Sequence, residues 1–193
     1  MPLPLGHSAI GFATHSLISN DNGRFKKLQA AIFILVLSNL PDIDILIGLI
    51  LQNNASVFHR GPTHSILFAF AMGFIVSKFS EFWAQIPVMN FKTCFMLIIS
   101  HVLADYFLTD SPVSLNWPFE VSWSTGDFGW SDVLHTVFFE AVEDTGILLV
   151  CTCIIILALI FRRLYFIRNT KLAAFNILRN QTLRERKQRS IDN

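Results

Sequence analysis

Four short stretches hold the residues able to bind a metal: GHSAIGFATH at 6–15, SNLPDIDIL at 38–46, HRGPTHS at 59–65 and SHVLADYF at 100–107. They supply His7, His59, His64 and His101 together with Asp42, Asp44 and Asp105, in segments that are otherwise apolar. His101 and Asp105 are four residues apart, so on a helix they share a face with Cβ atoms ~6 Å apart, close enough to ligate one ion or bridge two. Pro41 has no backbone N–H and disturbs a helix around it, which lets Asp42 and Asp44 turn inward from an irregular segment. In lipid such a break is tolerated only where it is buried in protein or lines a wet cavity. Gly61-Pro62 allows a sharp turn, so His59 and His64 can approach one point from two directions. A lone histidine near a helix end is more often an interfacial side chain than a ligand, and a lone Asp-x-Asp is more often a cap or turn. The set carries the argument: each charge at membrane depth costs at least ~2.5 kcal/mol unless paired or bound, and a shared cation offsets that cost.

Nitrogen and oxygen donors without a usable cysteine suit zinc first and manganese second, and there are more of them than one tetrahedral ion needs, so two ions are expected. Such a pair, ~3.5–4 Å apart, lowers the pKa of a bridging water and holds the attacking and leaving oxygens of a phosphoester. Asp42, Asp44 and Asp105 are therefore candidates for catalysis as well as ligation. Arg60 stands beside them and can clamp a phosphate oxygen; its alternative role is a topology or headgroup anchor. His15 is a packing or supporting candidate, and His135 has no assigned role. Cys151 and Cys153 lie in an apolar run and, with Cys94, show neither a disulfide framework nor a zinc-ribbon spacing.

The elements that must position these residues are hydrophobic helices. A hydrophobic fraction of 52%, a mean hydropathy of +0.49 and 19 phenylalanines exceed what a soluble domain usually carries. The run TGILLVCTCIIILALIF at 145–161 is charge-free and near the ~20 residues that cross a bilayer. Further candidates are 7–18, 28–51 (interrupted at Pro41), 64–80 and 91–108. The expected fold is all-α, a multi-pass transmembrane bundle of about four to five helices. Its domain covers 1–161 and includes an outer loop at 109–144; a basic tail covers 162–193.

Charge sets the expected orientation. Residues 162–193 hold nine Lys/Arg against Glu185 and Asp192, whereas 109–144 carry seven acidic residues and no lysine or arginine. The positive-inside rule then places the tail in the cytoplasm and the loop outside. With Lys78, Lys92, Arg24, Lys26 and Lys27 also inside, five crossings follow, with the N-terminus out and all four motif stretches near one face. Trp117, Trp123 and Trp130 suit headgroup level. The tail mixes Leu, Phe and Ile with its basic residues and suits an anionic leaflet. No nucleic-acid partner is expected, since no stacking platform accompanies the charge. No positively charged segment precedes the first apolar run, so a removable signal peptide is not expected.

In order and spacing, the GH near the start, LPDID, HRGPTHS, SHVLAD and DSPVSLNWP resemble the YdjM-like membrane-bound metal-dependent hydrolases, over about residues 6–118. That family is similar at a distance to zinc-dependent phospholipase C and P1-type nucleases, whose His-x-x-x-Asp ligand pair is matched by His101 and Asp105. His7, Asp42, Asp44, His59 and His64 match the family's other motif positions. The resemblance implies an inner-membrane, metal-dependent hydrolase. The residues add the expectation of a phosphoester in a lipid or lipid-linked substrate, attacked by a water activated at a dinuclear centre. The alternatives are a metal-ion transporter using the same His/Asp set and a non-catalytic membrane scaffold.

Overall fold

The computed structural model describes residues 3–18, 27–83, 87–109, 111–122, 126–139 and 144–192, and every regular element among them is helical. In chain order the α-helices are α1 (Pro4–Ile18), α2 (Lys27–Ser38), α3 (Ile43–Gln52), α4 (Ile66–Phe82), α5 (Phe91–Leu108), α6 (Trp130–Phe139) and α7 (Thr145–Asp192). Two 3₁₀ turns, Leu40–Asp42 and Pro62–His64, carry motif residues. The chain divides into two compact units, Met1–Ile155 and Ile156–Asn193; the second is a stretch of helix α7. Trp123 lies outside the described residues.

Local chemistry explains where the helices begin and end. The Asn90 side chain accepts a hydrogen bond from the Thr93 N–H at 2.8 Å and caps α5, and Ser65 does the same for α4 through the Phe68 N–H at 3.0 Å. α3 stops at Asn53, which takes the left-handed conformation with φ 52° and returns its N–H to Leu49 O. Between α2 and α3 the chain bends by 57° through the Leu40–Asp42 turn, with Pro41 inside it. The freed end of α2 is covered by Asn39, whose amide donates to Leu35 O and to Ser8 Oγ of α1, both at 2.9 Å.

α5 is the central element: α1, α2 and α4 all pack on it. Ile34 and Leu37 of α2, Ala69 of α4 and Cys94, Leu97, Ile98 and Val102 of α5 form the buried core. Small residues let the helices approach closely. A Cβ built at Gly11 of α1 would lie 2.5 Å from the Ser38 Cβ, and one at Gly73 of α4 would lie 3.0 Å from the Phe95 backbone.

Two helices, Phe91–Leu108 and Thr145–Thr170, are long and apolar enough to cross a membrane, and the bent pair Leu28–Ser38 and Leu40–Gln52 makes a third if it acts as one span. α1 and α4, at 15 and 17 residues, are short of the length expected of a crossing. Helix length thus supports two to three spans where four to five were expected. The 109–144 segment is also more than a loop, since it contains α6, which begins at Trp130. Asn54 ties this segment to the end of α3, donating to Gly126 O and accepting from the Phe128 N–H, each at 3.2 Å.

Gly11→Ala tests the α1–α2 contact. The added methyl meets the body of Ser38, so overpacking of about 1–3 kcal/mol is expected. The apparent melting temperature in detergent should fall, and an unchanged value would show that α1 does not press on α2 there.

Candidate metal centre

The seven residues singled out as donors come together, from five helical elements and one loop. His7 lies in the first turns of α1. Asp42 ends the first 3₁₀ turn and Asp44 opens α3; His59 and Arg60 sit in the loop that follows. His64 ends the second 3₁₀ turn, and His101 and Asp105 share one face of α5. All are buried except Asp42, whose side chain is 17% exposed.

Two groups of side chains have ligand atoms close enough to hold a metal ion. Asp42, His59, His64 and Asp105 form one, and His7, His101 and Asp105 form the other, with the ligand atoms of each within 4.8 Å of one another. Asp105 belongs to both. Its Oδ1 lies 3.3 Å from His7 Nε2, and its Oδ2 lies 3.3 Å from His64 Nε2 and 3.4 Å from Arg60 Nε. Asp42 Oδ1 reaches His101 Nε2 at 3.3 Å and His64 Nε2 at 3.5 Å. The His7 and His101 rings stack with centroids 3.6 Å apart.

The outer nitrogens of three rings are already committed. His101 Nδ1–H donates to Ser38 O at 2.7 Å. His64 Nδ1 faces Asp44 Oδ2 and Thr63 Oγ1, each at 3.1 Å. Because Thr63 gives its own proton to Asp44, both neighbours act as acceptors and His64 Nδ1 must carry hydrogen. His59 Nδ1 lies 3.1 Å from Asp44 Oδ1, which likewise can only accept. If rings held this way are neutral, their Nε2 atoms carry lone pairs, and those of His64 and His101 are 3.3 Å apart. Two lone pairs at that distance repel unless a cation lies between or beside them. The donor set fits a divalent metal for that reason, and also because His59 Nε2, His7 Nδ1 and both Asp105 oxygens are buried without a hydrogen-bond partner.

Asp44 occupies a different position from the other carboxylates. It lies behind the rings, taking bonds from the Thr63 hydroxyl and the Arg60 backbone N–H, the latter at 3.2 Å, and it stands in neither ligand group. Arg60 is 1% exposed, and its Nε lies 3.4 Å from Asp105 Oδ2. Its backbone takes φ 64°, and its carbonyl accepts from the Ser114 N–H at 3.0 Å, so the DSPVSLNWP stretch braces the HRGPTHS loop. His15 and His135 join neither group; the exposed His135 ring stacks on Phe139.

Asp144 is a supporting residue that sequence reasoning missed. Buried beside the start of α1, its carboxylate accepts from the Gly6 N–H at 2.7 Å and from the Leu3 N–H at 3.0 Å. These N–H groups belong to the first turn of α1 or just precede it, where helices leave donors unsatisfied, and His7 follows at once. Gly6 is required there, because a Cβ would lie 2.8 Å from an Asp144 oxygen.

An open cavity of about 710 Å³ meets the cluster at Asp42, His59 and Arg60. No curated protein and no solved structure matches the chain, so the more distant likeness to phospholipase C and P1-type nucleases is not shown. A family model does match, and it reaches beyond the motif-bearing segment to take in α6 and the first part of α7. With its model matched over residues 1–170, the chain belongs to the YdjM inner membrane protein family.

Proposed function

We propose that the protein is a membrane-embedded, metal-dependent hydrolase that cleaves a phosphoester in a lipid or lipid-linked substrate. The observation that supports this most is the pair of imidazole nitrogens 3.3 Å apart, Nε2 of His64 and of His101, beside a carboxylate common to two ligand groups. Asp42, His59, His64 and Asp105 would hold one ion and His7, His101 and Asp105 a second, Asp105 being common to both groups. Zinc suits the nitrogen-rich set, and manganese is the second choice. When bound, the ions supply Lewis acidity toward a phosphoryl oxygen and toward water.

The protein's own residues supply the rest. Asp44 fixes the tautomer and orientation of His59 and His64, and the Ser38 carbonyl does so for His101. Asp42 is the ligand carboxylate that meets the cavity, so it is placed to take a proton from the attacking water. Arg60 lines the same cavity and can pair with a phosphate oxygen. Charge agrees with this division. Three carboxylates against one guanidinium leave the pocket doubly negative with neutral histidines; two divalent ions reverse the sign and favour an anionic substrate.

Asp105→Asn and Asp44→Asn separate the roles. Asp105→Asn removes the shared anion while keeping shape, so metal stoichiometry and hydrolysis should fall together. Asp44→Asn should retain the ligands but weaken metal affinity by about 10–100-fold, the usual effect of losing an orienting partner. Metal content by elemental analysis, with the melting temperature of the same preparations, decides this. An Asp105→Asn protein with full metal content would remove that residue from the centre.

The orientation belongs to the same proposal: the tail after α7's apolar part is cytoplasmic and the 109–144 segment faces the other side. A cysteine at Phe119, which is 96% exposed, should react with an impermeant label from outside intact cells, whereas one at Ser190 should not. The opposite pattern would invert the topology.

A further inference from the structure

The cavity differs in character from the cluster it meets. Most of its wall is apolar, contributed by Val36 of α2, Leu40 of the 3₁₀ turn, Ile43 and Leu46 of α3 and Val133 and Val137 of α6. Its polar lining includes Asn39 and Asp132, and the structure already employs both. The Asn39 amide holds the end of α2, and Asp132 accepts from the Gly129 N–H at 2.9 Å at the start of α6. The cavity therefore has a charged end at Asp42, His59 and Arg60 and a hydrocarbon-like remainder.

We infer that this cavity is a tail-binding subsite for a single-chain amphiphile whose phosphate-bearing head reaches Asp42, His59 and Arg60, an inference that rests on the phosphoester reading above. A volume of about 710 Å³ falls inside the ~300–1,000 Å³ that holds one small ligand, which suits one chain. Two residues of the α3 wall are well exposed, Leu46 at 50% and Ile43 at 42%. Both belong to the bent pair that together meets the test for a membrane span. With that pair acting as one span, this side of the cavity would face lipid tails, and a chain would enter sideways while its head stays with the proposed metal ligands. α6 forms the second wall, which gives the 109–144 segment a function beyond connecting two helices. Charge would fix the polarity of the ligand: with the two proposed cations in place beside Arg60, the cluster would favour an anionic head.

The test uses the full chain, metal-loaded, in nanodiscs of phosphatidylcholine, with a dodecyl phosphate carrying a photoreactive diazirine in mid-tail. Cross-links should map to peptides containing Ile43–Leu46 and Val133–Val137, and Leu46→Trp and Val133→Trp should each reduce them at least tenfold with metal content unchanged. Excess lysophosphatidate or farnesyl diphosphate should compete, and the stronger of the two identifies a glycerol-based or an isoprenoid source. A photoreactive dodecanol should label these peptides more weakly. Cross-links that map elsewhere in the wild-type chain, or that persist in both tryptophan variants, overturn the subsite; equal labelling by the alcohol overturns its anionic head. Hydrolysis and metal content are measured on the same samples. Specific labelling without metal or turnover would count against the hydrolase reading and leave the tail subsite standing.

Discussion

The Asp105 carboxylate lies buried against His7 from α1, His64 from the second 3₁₀ turn and Arg60 from the loop between them. A carboxylate in such a place is stable only with positive charge close by, and most of the polar architecture arranges for that. α5 carries Asp105 through the middle of the bundle, with His101 one turn earlier and its ring held by Ser38 O. α1 must come close enough to bring His7, which it does through Gly11 against Ser38 and through the Asp144 clasp at Gly6. The loop must bring His59, Arg60 and His64, which it does by wrapping around Asp44. Close helix packing and polar chemistry are thus the same constraint seen from two sides.

Much of this was legible in the residues. The i,i+4 placement of His101 and Asp105 fixed a shared helix face, and Pro41 marked the break that turns Asp42 inward. The apolar runs at 7–18, 28–51, 64–80 and 91–108 anticipated α1 to α5 to within a few residues. Periodicity and breakers act locally, so sequence reports them well. What escaped depends on approach between distant segments. Asp44 looks like Asp42 in the LPDID stretch, yet the two residues of rotation between them point it behind the histidines. Asp144 reads as one more acid in an acidic stretch, and only the arrival of α1 makes it a clasp. Arg60 was legible as a cation beside the ligands, but its burial was not, since arginine is seldom buried and the burial accompanies a loop conformation with φ 64°.

The span count shows the same limit. Hydropathy alone does not separate a helix apolar because it faces lipid from one apolar because it faces protein. In α5 half of the apolar window is buried, against 6% in Thr145–Thr170, although both pass as spans. α5 is therefore apolar for both reasons at once, and α7 for one. The short helices α1 and α4 both pack on α5, yet α4 keeps Ile66, Leu67, Phe70, Phe74, Ile75 and Phe79 about half exposed, so its apolar residues read as a crossing in the sequence although the helix is 17 residues long.

The outer layer of hydrogen bonds also bears on what kind of metal site this is. A transit site for ions must bind weakly enough to let them leave, which calls for ligands free to swing away. Here the rings of His101, His64 and His59 are each pinned through Nδ1, one by a main-chain carbonyl and two by a single carboxylate that is itself tied to Thr63 and to the Arg60 backbone. Moving one ring means breaking bonds that also orient another. Preorganisation of this kind is costly for passage and useful for chemistry, where groups held in place need no rearrangement as charge develops. The cavity meets the cluster at Asp42, His59 and Arg60, so in the proposed enzyme a substrate would arrive at a fixed centre, and the pinned rings favour that reading over a transit site.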